Sequence, residues 1–379
     1  MTRGPFEPKR LRMARQFLGL VLHELGERVG VSRQAIHQFE TGQRAPAEEM
    51  IDALAAALLV KPAFFFVPLS TEVGRADCNF RKLESTTIRD VEQVIAHGEL
   101  LKELIRLLED VIEFPTPDFP CLRAHALGDA EGAAETVRRH WGLTDDEPIV
   151  STMRVAETAG AVVVQFPGVS AQIDALSICG DRPMIVRPSD KPSTSRLRFD
   201  LAHEIGHLLM HQAGARPDDH GAAEEQAHRF ASAFLLPKKP FTREFPRGRR
   251  LDWTSIFSIK RRWKVSAAAI LRRARDLDII DAAQYRSGNI FLSKQGYKRN
   301  EPFEPTERER PELLSNALLT VERVNGICLL DVAKQLEVEP VILGRLIGID
   351  IPDLREADRR VVISLNERIT WSQANWKWG

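Results

Sequence analysis

Within Phe199–His211 the chain reads FDLAHEIGHLLMH, which places His203, Glu204 and His207 in an H-E-x-x-H pattern. On a helix, residues four apart stand one turn apart on a shared face, so two imidazoles can address one ion. Glu204, beside the first of them, can reach a metal-bound water as general base. Two histidines leave a zinc site one protein ligand short, with a further position reserved for water. The segment Ala223–Pro237 offers that ligand. Its Ala227, Phe230, Ala231 and Phe234 make one apolar helical face, while Glu224 and His228 share another face one turn apart. Glu224 as third ligand with His228 as its hydrogen-bonding partner suits a carboxylate whose orientation must be fixed. Glu225 competes for the same role, and both glutamates also suit the acidic first turn of a helix. His211 continues the four-residue spacing and can either line the cleft or end the helix structurally; His220 reads as loop. Tyr285 and Tyr297 are the only tyrosines, and neither is placed to be nominated as an oxyanion stabiliser.

The elements that position these residues follow from composition and pattern. A chain of 379 residues has room for two or three domains, and 43% hydrophobic with 28% charged residues is the composition of a globular protein. Basic and acidic side chains balance at 53 each, so no global field draws the molecule to nucleic acid and any such footprint must be local. Cys78, Cys121, Cys179 and Cys328 lie far apart with no CxxC pair, which argues against a disulfide framework or thiolate zinc site. The N-terminus has no apolar leader-like run. The greasiest stretch, residues 51–69, is broken by Asp52, Lys61, Pro62 and Pro68, so no membrane span is expected and the compartment reads as cytoplasmic.

The first seventy residues read as short helices at about Pro8–Leu18, Leu22–Val29, Arg33–Phe39 and Pro46–Leu58. Gly30 suits a left-handed cap on the second, and Ser32 suits an N-cap on the third. A long amphipathic helix is expected over about Ile88–Glu113, able to pack on its own chain or to join a dimer seam. Beyond it, Ala130–His140 and Val150–Ala159 read as helices, while Ala161–Phe166 and Ala175–Val186 are β-branched runs of strand length. The region is an α+β unit with a small sheet beside its metal helix. A basic stretch, Lys238–Arg275, holds thirteen basic and two acidic residues and reads first as a solvated helix face, with a DNA footprint or acidic-peptide attraction as alternatives. Ile327–Gly348 has helix-turn-helix-like spacing and reads as a structural packing module; three tryptophans in Ile369–Gly379 form no interpretable pattern.

SRLRFDLAHEIGHLLMH followed by EEQAHRFASAFLLP resembles the ImmA/IrrE family of zinc metallopeptidases, and WKVSAAAILRRARDLDII resembles the segment after that family's second helix. The resemblance spans about residues 120–300. It implies Zn2+ as cofactor, His203, His207 and Glu224 as ligands, and Glu204 as catalytic base. His228 stands where the family usually has asparagine, and it can still donate a hydrogen bond. The N-terminal RLRMARQFLGLVLHELGERVGVSRQAIHQFETGQRAP resembles the Cro/repressor-type, or XRE, helix-turn-helix. In that geometry the third helix enters the major groove by its N-terminal residues. Arg33, Gln34 and Gln38 are then the base readers, with Ser32, His37 and Arg44 on phosphate or at the rim. Val21-Leu22 replaces the family's usual Thr-Gln, and Gly26 its usual alanine, which weakens that helix by about 0.5–1 kcal/mol. Nine basic against seven acidic residues in 1–69 leave one module only weakly positive, so a homodimer on a two-fold operator is expected.

The fold expectation is therefore α+β and mostly helical. An all-α helix-turn-helix domain covers 1–70, a linker with a long helix 71–120, a zincin-like metallopeptidase domain with a small sheet 121–300, and a helical region 301–379. The functional expectation is a DNA-binding transcriptional regulator whose zinc endopeptidase cleaves a regulatory protein such as a repressor. Its partners are then a double-stranded DNA operator and that protein substrate. The alternative is a one-component transcription factor whose peptidase-like domain senses a metal, ligand or partner without turnover.

Overall fold

The computed structural model describes residues 4–69, 78–80, 87–122, 126–166, 176–188, 193–212 and 220–348. The C-terminal tryptophans and Ala175 lie outside these. The chain starts with four helices, α1 (Pro8–Phe17), α2 (Leu22–Val29), α3 (Arg33–Glu40) and α4 (Glu48–Leu58). Strand β1 (Cys78–Phe80) and the long helix α5 (Ile88–Glu109) follow. The middle of the chain holds α6 (Asp129–His140), α7 (Thr152–Thr158), β2 (Val162–Phe166), β3 (Leu176–Ile178), β4 (Met184–Pro188), α8 (Thr194–Met210) and α9 (His220–Leu235). Four further helices, α10 (Lys238–Glu244), α11 (Trp253–Trp263), α12 (Ala267–Asp276) and α13 (Ala282–Lys294), precede the closing trio α14 (Leu313–Asn325), α15 (Leu329–Gln335) and α16 (Pro340–Ile347). The protein is thus mostly helical with one small sheet, as its pattern predicts.

Three boundaries differ from expectation. The long helix stops at Glu109 because Asp110 closes it and Phe114-Pro115 cannot continue it; it starts in a capping box of Thr87 with Asp90. The run ending at Val186 is two strands separated by a turn, not one. His220, expected in a loop, is the first residue of α9, so Glu224 and Glu225 stand inside that helix rather than at its start.

The sheet order is β1-β3-β4-β2, with β2 parallel to β4 and the other pairs antiparallel. Successive residues of a strand point to opposite faces. Here Val162, Val164, Phe166, Met184, Val186 and Ile178 join one hydrophobic core, while Val163 and Ile185 join another. The sheet is therefore a partition. On its first face lie the N-terminal helices, α5 and α14–α16; on its second lie α6–α9 and α11–α12. The apolar face of α5 is spent within the chain: Val94, Leu100, Leu101, Leu104 and Leu108 are all buried in the first core.

Polar ties hold the N-terminal helices on that core. Arg10 donates to Glu103 of α5 and to the carbonyls of Val67 and Pro68, and Gln93 donates to the Phe17 carbonyl. Val60 forms an isolated bridge with Val338, and Lys61 pairs with Glu339. The helix-turn-helix-like spacing of Ile327–Gly348 therefore belongs to packing elements in the first core. At the centre, the His97 ring stacks on Phe17 from α1 and lies tilted against Phe166 from β2 while bonding the Leu346 carbonyl at 3.0 Å. Burial drives His97 down to about 3, only partly offset by that carbonyl, so it is a neutral ring. Among the described residues no single helix is long and apolar enough to cross a membrane.

Candidate metal centre and nucleic-acid interface

Helix α8 begins at Ser193, whose hydroxyl accepts from the Arg196 amide. A carboxylate from far along the chain reinforces this start. Glu304 accepts from the hydroxyls of Ser193 and Ser195, from the Ser195 amide, and from Lys260, whose ammonium is fully buried and also bonds Glu301. Burial opposes the Glu304 charge, but these donors hold its carboxyl below the ordinary value. One turn further on, buried Arg198 binds Glu309 and the carbonyls of Ile149 and Val150. The helix is thereby clamped at its N-terminal end, and Gly206 fixes its distance from α9. A β-carbon there would stand 2.9 Å from the Phe230 ring, so the glycine permits the close crossing.

That crossing brings together what the spacing pointed to. His203 Nε2 and His207 Nε2 lie 3.0 Å apart, and each lies 3.2 Å from a Glu224 oxygen. Three ligand atoms bound tetrahedrally at zinc distances stand about 3.3 Å from one another. The three side chains fit such an ion, and both imidazoles are almost fully buried. Burial raises the Glu224 carboxyl, but hydrogen bonds from His203 and His207 overcome this and hold it well below the usual carboxylate range. Glu225 is engaged elsewhere, by Arg272 of α12. Glu204 is buried on α8 beside His203.

Sequence reasoning placed His228 behind the carboxylate. In the structure its ring lies 4.9 Å from that of Phe199 and 6.4 Å from that of His203. A different support stands out: His207 Nδ1 is 2.9 Å from His211 Nδ1, and His211 Nε2 is 2.9 Å from Gln226 Oε1. With His207 Nε2 presented to an ion, Nδ1–H donates to His211 Nδ1, and His211 Nε2–H then donates to Gln226. The spacing of His211 hinted at this relay; nothing local marked Gln226.

The N-terminal helices form the second candidate site. Gly30 closes α2 at φ 73°, the left-handed conformation glycine adopts without strain. Gly26 is required by the turn: a β-carbon there would stand 2.6 Å from the Val31 carbonyl, so the glycine does more than weaken α2. Ser32 caps α3 by accepting from Ala35. This places the Ser32 hydroxyl within the helix start. Ile36 and Phe39 face inward, and buried Arg15 ties α1 to α3 through Glu40. On the outer face Ser32, Arg33, Gln34, His37 and Arg44 are exposed, Gln38 is half-buried, and Arg44 lies over the Phe39 ring. In the basic stretch Lys238–Arg275, the residues Lys238, Lys239, Arg247, Arg249, Arg250 and Arg261 are exposed, in keeping with a solvated face. Lys260 and Arg273 are buried in ion pairs, and Arg243, Arg262, Arg272 and Arg275 are each paired with carboxylates.

Two known families match the parts of the chain that hold these residues. The family described as helix-turn-helix domain matches residues 9–63, and a peptidase family described as IrrE N-terminal-like domain matches residues 156–275. The class of protein is thus a regulator-type chain joining a helix-turn-helix domain to a peptidase-like domain. No curated protein matches the chain.

Proposed function

We propose that this protein is a DNA-binding transcriptional regulator carrying a zinc endopeptidase that cleaves a regulatory protein such as a repressor. The convergence of His203, His207 and Glu224 within ligand distance, with Glu204 adjacent, is the observation that supports it. Zinc held there would lower the pKa of a water and polarise a peptide carbonyl. Glu204, next to His203, would serve as the base that accepts a proton from water and returns it to the leaving amine. His211 and Gln226 hold the His207 ring in the tautomer that turns Nε2 to the ion. Arg33, Gln34 and Gln38 read base edges while Ser32, His37 and Arg44 hold phosphate or rim, with two copies of the chain on a two-fold operator. Such a protein works where the DNA is, in the cytoplasm. Residues 1–70, 71–120, 121–300 and 301–379 serve as reader, linker, peptidase and helical closure.

Zinc content and hydrolysis of fluorescein-labelled casein by parent and Glu204→Gln protein test this. The expected result is retained zinc with hydrolysis reduced by about 10²-fold or more; unchanged hydrolysis would falsify the assignment. A sensor without turnover is the second reading, favoured by the near-complete burial of His203 and His207. It predicts zinc binding without hydrolysis and operator affinity that changes with zinc.

A further inference from the structure

Helix α8 packs against β3, and β3 has β4 on one side and β1 on the other. β1 comes from outside the peptidase-like match, from the chain between the helix-turn-helix domain and α5. It runs antiparallel to β3, with Cys78 opposite Ile178, Asn79 opposite Ser177 and Phe80 opposite Leu176. Without it β3 would be a bare sheet edge beside the helix bearing His203, Glu204 and His207. Bare edges present unpaired N–H and C=O groups, and extended peptides are captured by adding a strand to them. A peptidase needs its substrate extended next to its reacting groups, which is what this edge offers.

Resting on the peptidase reading above, we propose that Cys78–Phe80 is an autoinhibitory strand. It occupies in cis the place on β3 where a substrate peptide adds, and it must leave before a peptide enters. Its three residues make a short pairing, suited to release. Its flanks also connect it to the DNA reader. The helix-turn-helix precedes it, and α5, which follows, is tied back to α1 by Arg10–Glu103 and Gln93–Phe17. In chain order the strand thus lies between the reader and α5. A peptide in trans competes with a tethered strand at millimolar effective concentration, so freeing the edge strongly favours the peptide.

The test uses the full zinc-loaded chain with Glu204→Gln to prevent turnover, and a fluorescein-labelled peptide with the sequence of residues 74–84. Asn79→Pro with Phe80→Pro removes two adjacent N–H groups, one of which faces β3 in either pairing phase. Anisotropy should show at least tenfold tighter peptide binding than in the unsubstituted strand; equal affinity overturns the proposal. A second variant, Asn79→Cys with Ser177→Cys in a Cys78→Ser background, locks the facing residues by a disulfide. Oxidation should abolish peptide binding and dithiothreitol restore it, and undiminished binding by the oxidised form overturns the proposal. With Glu204 restored, tight binding by the double-proline protein without cleavage would remove the peptidase reading and leave the strand assignment standing.

Discussion

The two candidate sites of this chain are built in opposite ways. The nucleic-acid face consists of side chains standing out from one short helix, with Arg33, Gln34 and His37 exposed and only Ile36 and Phe39 committed to the core. The metal centre is inside: His203, Glu204 and His207 are each at most 3% exposed, and their partner Glu224 comes from a different helix. A surface that must meet a large partner can vary without touching the fold. A centre that must hold donors about 3 Å apart is inseparable from the packing around it.

This contrast can be broken or sharpened by measurement. The largest effect is expected at the clamp on α8. Lys260→Met leaves buried Glu301 and half-buried Glu304 without their cation and should cost about 3–5 kcal/mol in urea unfolding. A loss below about 1 kcal/mol would mean the start of α8 does not depend on the clamp. Next, His211→Phe should weaken zinc binding about 10–100-fold in a chelator competition, because His207 loses the acceptor that orients it. Unchanged affinity would show that packing alone aligns the ring.

Arg33→Ala should lower operator affinity by about 1–3 kcal/mol while leaving the unfolding midpoint within about 0.5 kcal/mol of the parent. A comparable loss of stability would contradict the separation of reading face from core. The smallest effect concerns Glu157, which accepts from the Glu312 and Leu313 amides at the start of α14. Burial pushes its carboxyl up to about 7, despite those amides. A folded pKa above the unfolded one means the folded state holds the extra proton. The associated stability is full at low pH and fades as pH rises through about 7. Unfolding should therefore show a loss of about 1 kcal/mol between pH 6 and 8 that Glu157→Gln removes; identical pH profiles for the two proteins would place the titrating group elsewhere.

Much of this was legible in local spacing. Apolar residues at helical intervals mark the helices up to α9, Ser32 and Gly30 mark the turn before α3, and His203 with His207 puts two imidazoles on one face. These signals are local because caps, turns and one-turn neighbours are set by a few consecutive residues. What escaped is non-local. Spacing already favours Glu224 as third ligand, but that Arg272 of α12 engages Glu225 depends on distant packing, and the His211–Gln226 relay depends on how α8 crosses α9. The burial of Lys260 and Arg273, which a charge count reads as a basic face, needs partners up to 142 residues away.

Residue order alone thus determined the groups available: two imidazoles and a carboxylate on one helix, and an exposed polar helix behind a tight glycine turn. Only the tertiary structure decided that His211 and Gln226 stand behind His207, that one sheet divides two cores, and that β1 pairs with the strand beside α8. The physical reason is that donor convergence and strand pairing are set by the relative placement of distant segments, which spacing within any one segment does not encode.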